Sequence, residues 1–184
     1  MPPDEGGLLS YAGGLARERD RLQNYLDIVE TIIVALDAHG IITTINKKGC
    51  RLLGYREDEL VGKSWFATCL PRPDGMDKVY PVFLKLMTGE LQSLEYFENT
   101  VITKTGDLRI IAWHNALIRD EQGAVTGTIS AGDDVTKKRM VEQQLQESEK
   151  KYRNLFDHAI VGMYRSKIDG SGILEVNQSL CNIF

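Results

Sequence analysis

The chain has 184 residues, 42% of them apolar and 26% charged, and carries a net charge of −4. That length suits one full globular domain with further segments, and the acidic balance excludes a general electrostatic pull toward nucleic acid. Three cysteines without paired spacing exclude a disulfide framework, and no apolar run approaches the length of about 20 residues that spans a bilayer.

An odd cysteine count without a framework fits a reducing compartment. The N-terminus lacks the basic region and apolar core of a signal peptide. A cytoplasmic location, with no membrane contact by this segment, is the expectation.

Residues 1–14 hold two Pro and four Gly and read as a disordered lead-in. From Leu15 the pattern turns helical: Leu15, Leu22, Leu26 and Val29 share one helix face, giving an amphipathic helix over 15–30. Thr31–Leu36 and Ile41–Ile45 are β-rich and flank the turn cluster Asp37-Ala38-His39-Gly40, which predicts a hairpin with His39 exposed. Asn46 is read as the cap of a short helix over Lys47–Tyr55, closed by Gly54, in preference to a ligand contact. Arg56–Leu60 predicts a second short helix. Trp65-Phe66 reads as an aromatic step leading into a Pro-Gly loop. Val79, Val82, Phe83, Leu86 and Met87 have the spacing of a buried helix stripe. Three strands follow, Leu94–Thr103, Leu108–Ile118 and Ala124–Asp133, as two hairpins in series. The fold class is therefore α+β: a five-stranded antiparallel sheet with helices on one face. Residues 137–156 form a charged helix whose Val141, Leu145, Ser148, Tyr152 and Leu155 make a short heptad seam.

An internal repeat appears beyond that helix. Asn154–Phe184 echoes Asn24–Leu53, with Ile160–Met163 set against Ile33–Leu36 and Ile173–Asn177 against Ile42–Asn46. On this alignment the second copy has about four extra turn residues around Asp169–Gly172. Lacking strands to complete a sheet, 157–184 is expected to be disordered or paired with another chain.

Several short stretches resemble, in order, the PAS sensory domain family. They are Asn46 after an apolar strand, Leu53-Gly54-Tyr55 with Glu59-Leu60-Val61-Gly62-Lys63-Ser64-Trp65, and Lys104-Thr105-Gly106-Asp107. Further along come Trp113-His114-Asn115, Arg119–Gly123, and Asp134-Val135-Thr136 where the last strand gives way to helix. Each is weak alone; the ordered set over residues 25–136 is specific. The resemblance implies a PAS domain over 31–136, a linker helix over 137–156 and the start of a second PAS domain over 157–184. The flanking helices are then signalling helices.

The resemblance also implies a cavity between sheet and helices. Phe97, Asn99, Val101, Ile111, Trp113, Asn115, Thr128 and Ser130 fall on the inner face; all of these but Thr128, together with Trp65 and Phe83, make the candidate ligand-binding set. His114 is expected on the outer face. In the blue-light flavin subfamily the reactive cysteine occupies the place held here by Trp65, and the helix that carries the haem histidine has none in this chain. Both departures argue against photoreactive flavin and haem, and leave the cofactor unassigned. The scattered His and Cys residues propose no metal site.

No phosphate loop, cyclase motif or nucleophile elbow is visible, so no catalytic residue is assigned. The first functional reading is a sensory input module that binds a small molecule or partner and signals through the 137–156 helix. Its effector would lie in a parent histidine kinase or diguanylate cyclase. The rival is a ligand-free dimerisation or spacer module. Self-association as a parallel homodimer through the 15–30 helix is expected in either case. Asp134, Thr136 and Lys138 are the candidate signal junction: Asp134 would cap the helix and neutralise the Lys137-Lys138-Arg139 cluster through Lys138 or Arg139.

Overall fold

β1 (Ile32–Asp37) points Ile32, Val34 and Leu36 inward, the period of two that a half-buried strand requires. In this computed structural model, residues 21, 25–73, 75–88 and 96–183 are described. The expected lead-in over 1–14, and Leu15 and Leu22 of the first helix, lie outside the described residues. The chain divides into two units, one ending at Thr136 and one beginning at Lys137.

In the first unit, β1 turns into β2 (Ile42–Ile45) through Asp37, whose Oδ1 accepts from the backbone N–H groups of His39 and Ile41, each at 2.9 Å. Gly40 sits there at φ +76°, and a Cβ on it would come within 2.4 Å of the Phe66 ring. Backbone conformation and close packing both demand glycine at this position.

Asn46 is fully buried and uses its whole amide. Its Oδ1 accepts from Ile33 N and Gly49 N at 3.0 Å, and its Nδ2 donates to Leu26 O at 3.0 Å and Thr31 O at 2.9 Å. One side chain thus caps α1 (Lys47–Leu53) and ties the approaching segment to the start of β1. α2 (Glu57–Leu60) follows. Trp65 and Phe66 are helical rather than a loop step: Ser64 Oγ accepts from Ala67 N and starts α3 (Trp65–Thr68). A π-helical turn, Gly75–Val79, feeds α4 (Tyr80–Met87).

β3 (Tyr96–Ile102), β4 (Leu108–Arg119) and β5 (Val125–Asp134) form the expected meander. The sheet order is β2-β1-β5-β4-β3, antiparallel throughout. Phe97 pairs with Trp113, and Asn115 with Ser130. Trp113 is buried while His114 is exposed on the opposite face, its ring 5.3 Å from that of Tyr96. Val101 and Ile111, both fully buried, join Ile32, Ile45, Leu53 and Leu60 in the hydrophobic core. Burial of a side chain of that size stabilises the fold by about 1.5–3 kcal/mol.

α5 (Thr136–Asp157) begins one residue after β5. In the second unit it leads to β6 (Tyr164–Ser166), β7 (Ile173–Val176) and α6 (Gln178–Cys181). The stretch after Asp157 is thus a hairpin closed by a short helix, not irregular chain. The repeat is real, but its alignment needs correcting. Asn177 Oδ1 accepts from Met163 N and Leu180 N, and its Nδ2 donates to Phe156 O and Val161 O. Matched against Asn46, this sets Met163 opposite Ile33 and Val161 opposite Thr31, so the second copy is longer by one residue, not four. Ile160–Met163, expected as strand, precedes β6. Apolar residues alone could not fix that offset; the four bonds of each asparagine do.

Candidate functional site

The inner face of the sheet and the helices across from it line a partly open cavity of about 70 Å³. One buried water needs roughly 10–15 Å³ on the same measure, so the space suits a few waters or a small organic molecule. Alternation along each strand supplies the sheet wall: Val34 and Leu36 from β1, Phe97 and Asn99 from β3, Trp113 and Asn115 from β4, Thr128 and Ser130 from β5. The opposite wall is apolar, built by Trp65 and Phe66 of α3, Val79 of the π-helical turn, and Val82, Phe83 and Leu86 of α4. The Phe66 and Phe83 rings lie 5.0 Å apart, and the indoles of Trp65 and Trp113 meet edge to face at 5.6 Å.

Four polar groups of the wall are ordered in pairs. Trp113 Nε1 donates to Asn99 Oδ1 at 2.6 Å, and Ser130 Oγ donates to Asn115 Oδ1 at 2.7 Å. Two strands are linked by each bond, β4 to β3 and β5 to β4. Gly132 makes room for the indole: a Cβ there would lie 2.4 Å from Trp113 Cζ3. None of the fourteen lining residues is ionisable.

Six of the residues read from sequence onto the inner face therefore meet at this cavity, Phe97, Asn99, Trp113, Asn115, Thr128 and Ser130, and Trp65 and Phe83 join them from the helices. Val101 and Ile111 do not. They face inward as expected, but packed core covers them. Alternation reveals which face a residue takes and says nothing of what stands opposite. Val34, Leu36, Phe66, Val79, Val82 and Leu86 were not singled out for the site. The stripe spacing of Val79, Val82, Phe83 and Leu86 was the available signal.

Cys69, a turn beyond Trp65, is fully buried. Desolvation pushes its thiol up to about 12, which holds it as an unreactive neutral thiol at physiological pH. Among the described residues, no group of three or more His, Cys, Asp or Glu side chains could hold a metal ion, and no helix is long and apolar enough to cross a membrane.

At the far end of β5, Asp134 Oδ1 accepts from the backbone N–H of Thr136 at 2.9 Å and from its hydroxyl. Thr136 Oγ1 in turn accepts from Ile110 N at 2.8 Å, and Val135 N donates to Ile110 O at 2.9 Å. The start of α5 is thus fastened to β4. The expected neutralisation by Lys138 or Arg139 is not what Asp134 does. Its ionic neighbour is Arg109 on β4, at 3.9 Å, while Arg139 turns along its own helix to Glu142 at 2.7 Å. A partner three residues on in the same helix is reached without straining either chain. Asp134 and Thr136 stand at the junction; among the described residues, neither makes a side-chain bond to Lys138.

A single antiparallel sheet of this order, roofed on one face by short helices and closed by a strand that runs directly into a helix, defines the architecture of a sensory domain. Family models described as PAS domain match residues 29–137 and, separately, residues 150–184. The chain belongs to the PAS domain family. Solved structures similar to it include a sensory box histidine kinase/response regulator from Burkholderia thailandensis, at TM-score 0.56 and 20% identity, covering 73% of this chain and 99% of that one. A PAS domain from Colwellia psychrerythraea has TM-score 0.53 and 20% identity over 67% of this chain and 98% of its own. The PAS domain of an HTR-like protein from Haloarcula marismortui has TM-score 0.52 and 23% identity over 68% and 98%. These likenesses show the fold. No curated protein sequence matches the chain.

Proposed function

We propose that residues 31–136 act as a sensory input module, without catalysis of their own, in which occupancy of the cavity alters the start of α5. One observation carries this reading: β5 is both cavity wall and helix cap. Thr128 and Ser130 line the cavity, Gly132 lies beneath the Trp113 ring, and Asp134 holds Thr136. Steps of two along one strand keep these residues on one face. A ligand that moves Ser130 or Trp113 pushes on the same backbone that presents Asp134. On this reading α5 leads toward an effector in a parent signalling protein, such as a histidine kinase or a diguanylate cyclase, on the cytoplasmic side.

A second reading, a ligand-free dimerisation or spacer module, is favoured by the internal pairing of Trp113 with Asn99 and of Ser130 with Asn115. Native mass spectrometry of the purified chain separates the two. A retained small molecule, lost in Asn115→Ala and Trp113→Ala and kept in His114→Ala, supports the sensory reading. An empty chain whose thermal stability answers to no metabolite in a broad panel supports the spacer.

A further inference from the structure

The cavity has one chemical bias that its shape alone does not convey. The acceptor atoms of both wall amides are already engaged by protein donors: Asn99 Oδ1 by the Trp113 indole N–H, and Asn115 Oδ1 by the Ser130 hydroxyl. The first bond fixes which way the Asn99 amide faces, because turning it over would set its NH2 against another N–H. Asn99 is thereby held with its NH2 group unengaged among the described residues. The indole acts as the selector, and Gly132 gives it the space to do so.

Charge narrows the class further. Among the described residues, no cationic or anionic side chain lines the cavity, so an ionised ligand would be desolvated without a counter-charge from them. The rest of the wall is aromatic and aliphatic, and it gains by covering an apolar body. We infer that the cavity selects small uncharged molecules that have an apolar body and a hydrogen-bond-accepting atom, a carbonyl oxygen or ring nitrogen, directed at Asn99 Nδ2. Trp113 is the residue that sets this preference. The inference rests on the sensory reading and names its ligand class.

The chain holds two tryptophans, and both line the cavity. Their two indole N–H signals in a ¹⁵N-correlation spectrum report on the site directly, and Trp113→Phe assigns them. Four ring probes are titrated at pH 7.5: pyridine (acceptor), pyrrole (donor) and benzene (neither), of similar size, and the larger benzoate (anion), with neutral benzamide as its size control. The expected result is that pyridine shifts the Trp113 signal with at least about tenfold higher affinity than pyrrole or benzoate. Asn99→Leu lowers pyridine to the level of benzene. Trp113→Phe, read by the Trp65 signal, brings pyridine and pyrrole within about threefold, because the freed amide can turn to suit either.

Pyrrole or benzoate binding as well as pyridine overturns the ligand class and leaves the sensory reading standing. So does undiminished pyridine preference in Trp113→Phe, which removes the selector. If no probe moves either indole and native mass spectrometry finds the chain empty, class and sensory reading fall together. Should Asn99→Leu fail to fold, Trp113→Phe alone decides the matter.

Discussion

Asn46 and Asn177 show how much one side chain can organise. Each accepts two backbone N–H bonds and donates two to carbonyls, so an alanine at either site orphans four backbone groups. With about 1–3 kcal/mol for each group left buried and unsatisfied, Asn46→Ala is expected to lower the stability of the first unit by at least about 2 kcal/mol, measured by urea unfolding. Asn177→Asp is the finer probe. It keeps the acceptor that serves Met163 and Leu180 and removes the donor that holds Phe156. Hydrogen exchange should speed up over residues 154–158 while α6 keeps its protection; equal loss in both would make Asn177 a folding residue only. Cys69 gives a test in pH. Burial raises its thiol from an ordinary value near 9 to about 12, so folding favours the neutral form. That stabilisation is complete below about pH 9 and is lost as pH climbs through the folded value near 12. In native protein at pH 8, iodoacetamide should modify the exposed Cys181 and spare Cys69. Labelling of both at one rate would show that the core around Cys69 opens readily.

Elements were legible in the sequence to different depths. The five strands of the first unit and the long helix were, because apolar alternation and a Gly-free, Pro-free run are strong local signals. α3 was not: it has four residues, and the aromatic pair Trp65-Phe66 gives no period over so short a span. The direction of Asp134 was also hidden, since its ionic neighbour Arg109 lies on another strand, and sequence distance favoured Lys138 and Arg139. For the site, strand alternation and family resemblance supplied the polar residues, but which inward residues face open space depends on how the helices settle against the sheet. That is why Val101 and Ile111 proved to be core. The junction itself makes a prediction. Asp134→Ala removes the cap from Thr136 N while Thr136 Oγ1 still accepts from Ile110 N. A lost cap costs about 0.5–2 kcal/mol, so exchange over 136–142 should quicken with the sheet still protected. Adding Thr136→Val should extend the loosening to the N–H of Ile110. Unchanged protection over 136–142 in Asp134→Ala would remove this junction from any signalling route.

As a whole molecule, the chain carries two stretches matched by PAS domain models, and each of its two units keeps apolar surface in solvent. Ile118 and Ile129 are 37% and 40% exposed on the outer face of the first sheet, and Val141, Leu145 and Leu155 are more than 60% exposed along α5. Exposed apolar surface of this kind commonly marks an interaction site, and the Leu15, Leu22, Leu26 and Val29 stripe makes a parallel homodimer the expectation. Sedimentation at micromolar concentration should give a dimer that Leu22→Glu with Leu26→Glu dissociates; a monomer in both proteins would assign that surface another use. The two asparagine brackets have a consequence for how such chains are put together. What each takes from the helix before it is a backbone carbonyl, that of Leu26 in one unit and of Phe156 in the other. Every amino acid carries that group, so the bracket asks for a helix end in the right place and not for particular residues on it. The joint travels with the receiving unit. Recombination that sets a new unit behind an existing helix keeps this bond and has only the side-chain contacts to remake, such as that of Asp27 with Lys47 and the burial of Phe156.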